Sequence, residues 1–407
     1  MLQHHTEQKK KRKEGDIEDN YLGPWANFEE SEEEVVVEED LEQQHEQDEE
    51  EESDQEKQEE GKKQKNKLTT EYFASFKYSG SFMNVPQLPK INLMKISGAQ
   101  ECFVPKKVVH KFPGHDSGVS KVEFFPNSGH LLLSCGNDSI VRLWDVYHKK
   151  ELIREYYGHS QAVKDIAFNL SGDKFLSCSF DKKVILWDTE TGTILKTIKV
   201  QAVPTVLKFN PNNDNEFLVG LMNSNIEHYD IEGTSHNLLQ TYDHHVGSIN
   251  ALCVIQHGNK FLSSSDDKSI RIWSWGINIP VKTVTHPTQY AVSSALCVPP
   301  SEEYIALQNM NNAIQVIDGE GKFKFKKKVF KNENVTGYKI EIDISPDGKI
   351  LVAGDSKGNI LLWDWNSGKV VKKLNLSKRL ISTVKFHPQE QSKVAAAGTD
   401  GAIYYCD

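Results

Sequence analysis

Gly354-Asp355-Ser356-Lys357-Gly358 fits G-x-S-x-G, the pattern that lifts a nucleophilic serine onto a turn between a strand and a helix. Here the pentapeptide lies between the apolar runs KILVA and NILLWDW, which read as the two arms of a hairpin. With no helix to follow, turn glycines and a solvated serine are expected rather than a hydrolase. Histidine offers a second chemistry, metal binding, through His115, His159 and His245. Each occurs once per copy of a long repeat, so the three are expected far apart and structural. Cysteine offers a third. Cys102, Cys135, Cys178, Cys253, Cys297 and Cys406 form no C-x-x-C pair and no cluster with histidine, against a zinc site and a disulfide framework alike. There is no Walker-type phosphate loop and no dinucleotide fingerprint. The chain is expected to be no enzyme and to bind no cofactor or metal.

What remains is chemistry of recognition. Lys9, Lys10, Lys11, Arg12 and Lys13 form a compact cationic run, the form of a nuclear import signal or a nucleic-acid patch, or else a solubilising charge run. Residues 321–331, GKFKFKKKVFK, interleave Lys322, Lys324, Lys326, Lys327 and Lys328 with Phe323, Phe325 and Phe330. Period-two alternation fits an outer strand with its lysines in solvent, where charge guards an edge against aggregation. Contact with RNA phosphate is the competing reading. Gly23, Pro24 and Trp25 precede a glutamate-rich stretch in which an exposed indole gains nothing unless it is buried against something. Either the tail docks on its own chain or the ring enters a partner.

The elements that hold these residues show themselves as a repeat. GHDSGVSKVEFFPNSGHLLLSCGNDSIVRLWD (114–145), GHSQAVKDIAFNLSGDKFLSCSFDKKVILWD (158–188) and HHVGSINALCVIQHGNKFLSSSDDKSIRIWSW (244–275) are three clear copies. Each carries three alternating apolar runs separated by Gly, Asn, Asp and Ser, the pattern of short antiparallel strands and tight turns. Equivalent late positions are Trp144, Trp187, Tyr229, Trp273, Ile317, Trp363 and Cys406, spaced 42 to 46 residues apart. Four strands per period with GH and WD marks indicate a WD-repeat β-propeller. Seven copies predict an all-β, seven-bladed ring. The last copy stops after its third strand, and one spare strand, KKVVHKF (106–112), precedes the first copy. Pairing the two would close the ring without an open edge.

Three copies carry a full polar set in register: His115, Ser134, Asp138 and Trp144; His159, Ser177, Asp181 and Trp187; His245, Ser263, Asp267 and Trp273. In WD-repeat proteins such residues bond in series from turn aspartate to indole, pinning the loops of a blade. The third and fifth copies lack the tryptophan and the sixth has Lys357 at the turn position, so these are expected to rely on apolar packing alone.

Charge divides the chain as sharply as the repeat does. Residues 1–100 carry 13 Lys+Arg against 25 Asp+Glu, a net of −12, and residues 101–407 carry 35 against 33, a net of +2. From Glu29 to Glu60 there are 19 acidic residues and one lysine. Such a segment cannot bury enough surface to offset its ordering entropy. The expected domains are a largely disordered acidic tail at 1–70, an extended linker along the propeller at 71–105, and the propeller at 106–407. The N-terminus has no apolar stretch behind its charges and no run is long enough to span a bilayer. An intracellular, soluble protein is expected.

ECFVPKKVVHKFPGHDSGVSKVEFFPNSGHLLLSC (101–135), GPWA (23–26), GHSQAVKDIAFN, LWDTETG, FLSSSDDKSIRIWSW and ILLWDWNSGK together resemble the pre-mRNA-processing factor seventeen family of second-step splicing factors. The resemblance covers the whole propeller and two pieces of the tail. It implies a nuclear, non-enzymatic spliceosome component that helps exon ligation by scaffolding proteins of the catalytic complex, as a monomer within a large assembly. Small nuclear RNA or pre-mRNA would lie nearby or in contact, and no membrane is involved. A general WD-repeat adaptor, such as a ubiquitin-ligase substrate receptor or a chromatin scaffold, is the other reading. The glutamate-rich stretch after GPWA and the final Cys406-Asp407 depart from the family pattern.

Overall fold

The computed structural model describes residues 70–73, 81–87, 92–94, 100–232, 238–285, 289–331 and 333–407. The chain divides into two units, Met1–Lys65 and Asn66–Asp407, and the described residues all belong to the second. Gly23, Pro24 and Trp25, and the run Lys9, Lys10, Lys11, Arg12 and Lys13, lie outside them.

Seven antiparallel sheets make up this unit, and no helix occurs among the described residues. Their inner strands are Val119–Phe124, Val163–Phe168, Pro204–Asn210, Ile249–Ile255, Val292–Cys297, Ile342–Ile344 and Ile381–Phe386. Each packs beside the next, and the seventh packs against the first. The result is a closed seven-bladed β-propeller. All seven expected marker positions fall on third strands. Each pairs across to an apolar residue of the second strand, as in Phe175↔Trp187, Phe261↔Trp273 and Val394↔Cys406. Aromatic pairs there stack: Phe175 and Trp187 lie 6.0 Å apart at 12°, and Phe217 and Tyr229 lie 5.5 Å apart at 20°.

The two ends of the propeller sequence close the ring. Val108–Phe112 is the outer strand of blade seven, antiparallel to the last strand, Ile403–Cys406, with Val108↔Cys406 and Lys111↔Tyr404 in register. Phe112 is fully buried beneath it. At the same seam Gly401 has φ +79°, and a Cβ there would lie 2.0 Å from the His115 carbonyl oxygen. Only glycine fits a turn pressed this closely under the first blade's loop.

Three pieces of chain ahead of the ring lie on it. Glu71–Tyr72 adds a fifth strand to blade one along Leu152–Tyr157, with the Arg154 guanidinium 5.5 Å from the Tyr72 ring centre. Phe82 is buried in the cluster shared by blades one and two, where its carbonyl meets His130 Nε2 at 3.2 Å. Further along, the Cys102 amide donates to Asp347 of blade six at 3.0 Å.

Candidate functional site

Loops on one face are held by the polar series of blades one, two and four. In blade two, Trp187 Nε1 donates to Ser177 Oγ at 2.8 Å, Ser177 Oγ lies 2.7 Å from His159 Nε2, and His159 Nδ1 lies 3.0 Å from Asp181. Since the indole can only donate, the serine hydrogen points to Nε2 and the imidazole passes its Nδ1–H to the carboxylate. Blade four repeats this through Trp273, Ser263, His245 and Asp267 at 2.8 Å in all three steps. Blade one has Trp144, Ser134, His115 and Asp138 at 2.8, 2.8 and 3.0 Å. Burial alone would raise the aspartate pKa values, but hydrogen bonds from the histidines hold Asp138, Asp181 and Asp267 below the usual carboxylate range. The histidines sit in separate blades, each committed to its own serine and aspartate.

Blade one adds a partner that its repeat does not announce. Arg142, buried, bonds Asp138 with one arm and Glu155 with the other, and Tyr157 donates to the same Glu155. Arg142 and Glu155 face each other across neighbouring strands, so strand register would have been the signal.

The blades expected to hold by apolar packing alone instead have polar bonds of their own. In blade three, Tyr229 donates to Glu227 at 2.6 Å, and in blade five Gln308 donates to Glu333 at 2.8 Å. In blade six, Trp363 Nε1 finds the Lys331 carbonyl at 2.9 Å, and buried Asp355 accepts from the amides of Lys357 and Asn359 at 2.9 and 2.7 Å. A buried indole or phenol favours an acceptor, and in blades three and six the chain supplies one where the serine is missing. Ser356 lies in the turn between strands Ile350–Gly354 and Asn359–Asp364, where its Oγ accepts from Thr336 Oγ1 at 2.8 Å. The histidines described here all lie elsewhere in the ring, so the hairpin reading of this pentapeptide stands.

The lysine-rich stretch forms the outer strand of blade five, Phe325–Phe330. Lys322, Lys324, Lys326 and Lys327 are exposed, whereas Lys328 is half-buried with its ammonium 4.8 Å from the Trp365 ring centre. Lys326 pairs with Asp318. The expectation that every lysine of this strand faces solvent therefore fails at Lys328, whose stem covers the seam toward blade six. Lys322, Lys324 and Lys327 have no ion pair among the described residues.

A central channel of about 630 Å³ runs between the inner strands. In six of the seven inner strands the register slips by one residue near the start, as between Val119 and Lys121 or Ile381 and Thr383. Such bulges re-aim side chains, and here they bring charges onto the wall. Lys121 reaches Asp165 of blade two at 2.8 Å and Glu341 of blade six at 3.1 Å, and Thr383 of blade seven donates to Glu341 at 2.8 Å. Burial pushes the Glu341 carboxyl up, but Lys121 and Lys385 draw it down to about 2. Lys208, Lys339 and Lys385 also face this space, along with Glu123. The opposite wall, of blades four and five, is lined by Leu252, Cys253, Leu296 and Cys297. Charged residues standing where other copies have Val206 or Ala251 were a visible signal, but their pairing across blades was not. Among the described residues no group of three His, Cys, Asp or Glu side chains is placed to hold a metal ion.

The ring, its loops and its lysine strand thus present several surfaces. A family model described as WD domain, G-beta repeat matches residues 106–145, 150–188 and 236–274. Another, the anaphase-promoting complex subunit 4 WD40 domain, matches 295–389. Human Pre-mRNA-processing factor 17 is 37% identical over 408 residues, covering 99% of this chain and 70% of the relative. The Saccharomyces cerevisiae protein of that name is 42% identical over 310 residues, 75% of this chain and 68% of the relative. Mouse WD repeat-containing protein 25 is 26% identical over 320 residues, 75% of this chain and 58% of its own length. On the breadth of the human and yeast matches, the chain belongs to the pre-mRNA-processing factor 17 family.

Proposed function

We propose that this protein is a nuclear splicing factor that acts without catalysis, scaffolding proteins of the spliceosome for exon ligation. The observation that carries this reading is the reach of the human match, 99% of the chain, tail included. The relatives are named for pre-mRNA processing. A ring pinned by cross-blade bonds suits a platform, because its loops need not reorganise to meet a partner. In this reading Gly23, Pro24 and Trp25 enter a pocket on a spliceosomal protein, and Lys9, Lys10, Lys11, Arg12 and Lys13 direct nuclear import. Lys322, Lys324 and Lys327 offer a weak, salt-sensitive contact to RNA or an acidic protein. A rigid body and a tail that grip separate sites gain avidity without either contact being tight.

Affinity purification of the full chain from nuclear extract tests this, run beside the Trp25→Ala variant. Small nuclear RNAs and spliceosomal proteins should accompany the wild type and be reduced several-fold with the variant, at an unchanged melting temperature. Recovery of cullin-type ligase subunits without small nuclear RNA would contradict the reading. A lowered melting temperature with intact recovery would assign Trp25 to the chain's own fold.

A further inference from the structure

The inner strands of blades four and five, Ile249–Ile255 and Val292–Cys297, lie side by side and each places a cysteine on the channel wall. Cys253 Sγ and Cys297 Sγ are 3.7 Å apart, in contact and unbonded. Cys297 Sγ also lies 3.3 Å from the Val254 carbonyl. No other two sulfurs of the six cysteines are in contact, and Cys102, Cys135, Cys178 and Cys406 are all buried. Cys297 is half-buried, open to the channel in a way those four are not. The two strands already touch, and a disulfide requires the sulfurs to close to about 2.05 Å.

The surroundings favour loss of one proton from the pair. A hydrogen bond between the two sulfurs lowers the Cys253 thiol, burial opposes this, and the positive charge of Lys208, from the inner strand of blade three, lowers it further. Loss of the second proton is opposed by the thiolate already formed, by burial and by Glu302. One thiolate beside one thiol is the arrangement that lets a first sulfur attack and a second resolve.

We propose that Cys253 and Cys297 are an oxidisable dithiol, which takes a small disulfide of the glutathione class from the channel and closes into a bond between blades four and five. In the first step a thiolate of the pair attacks one sulfur of the disulfide, forming a mixed disulfide and releasing one small thiolate. That thiolate takes up the proton of the remaining cysteine. The second cysteine sulfur then attacks the mixed disulfide at the protein sulfur and releases the second small thiolate, which takes from water the proton the pair first gave up. Two protein thiols are oxidised and one small disulfide is reduced to two thiols. The product staples two neighbouring inner strands and constrains the unfolded chain, so the oxidised protein should melt at a higher temperature.

The test treats the native full-length protein with oxidised glutathione, blocks remaining thiols with N-ethylmaleimide and maps the peptides. A linked Cys253–Cys297 peptide pair, lighter by two hydrogens than its parts, is expected, together with a raised melting temperature. In Cys297→Ser the bond cannot resolve, so Cys253 should retain glutathione and the melting temperature should not rise. Recovery of both cysteines as maleimide adducts, or of glutathione on each separately in the wild type, would overturn the proposal. Lys208→Gln should slow linkage several-fold at neutral pH and move its pH–rate profile upward. An unmoved profile would remove Lys208 from the account.

Discussion

Ser177 holds two buried groups at once, the Trp187 indole and the His159 imidazole. Ser177→Ala removes the acceptor of one and the donor to the other while deleting a single oxygen. Leaving buried polar groups unpaired costs about 1–3 kcal/mol, so urea unfolding of this variant should show that loss with an unchanged slope. A variant as stable as the wild type would mean the series is not under strain of satisfaction at all. Such series were legible because their four members recur at matching positions in successive copies. Arg142 and Glu155 were not, since one member lies on a third strand and the other on the outer strand, and neither recurs as a pair.

Inner strands do more than pack. Their early bulge turns Lys121 toward carboxylates of two other blades, Asp165 and Glu341, both within 3.1 Å. Lys121→Met would take the bonded cation from two buried acids, leaving Glu341 to Thr383 and Lys385 and Asp165 to the Leu207 amide, and breaking a buried pair in this way costs up to about 3–5 kcal/mol. Denaturant midpoints should fall accordingly, and the double variant Lys121→Met with Glu341→Gln should recover part of the loss. Equal stability of the single variant and the wild type would show that water already satisfies the acids. The strands themselves were readable from alternation and turn residues, as was the pairing of the first strand with the last. Which wall residues meet across the channel was not, because it depends on how seven copies are arranged around an axis. The polar substitutes in blades three, five and six escaped for a related reason: Glu227, Glu333 and the Lys331 carbonyl stand outside the repeated positions.

The ring as a whole should weaken in acid. Burial lowers His130 to about 4 and His387 to about 3, although carbonyl hydrogen bonds to Phe82 and Gly129 oppose this. Both are neutral in the folded protein where the unfolded chain, with an ordinary value near 6.5, begins to bind protons. Stability is therefore full above about pH 6.5 and declines as pH falls toward 4 and 3, by about 1.4 kcal/mol per pH unit for each histidine. Unfolding at pH 7, 6 and 5 checks the slope, and a flat profile would place these rings in water. The site on the partner side follows a different rule. Periodicity and charge reveal a platform and a tail, whereas the partner of either depends on loops whose shape no repeat dictates.

The most direct measurement is the RNA made by splicing extract depleted of this protein and then restored with the purified full chain. Depletion should leave cleaved 5′ exon and lariat–3′ exon intermediates, and the wild-type chain should restore ligated exons. Accumulation of unspliced precursor alone, or no change in any RNA species, would contradict this.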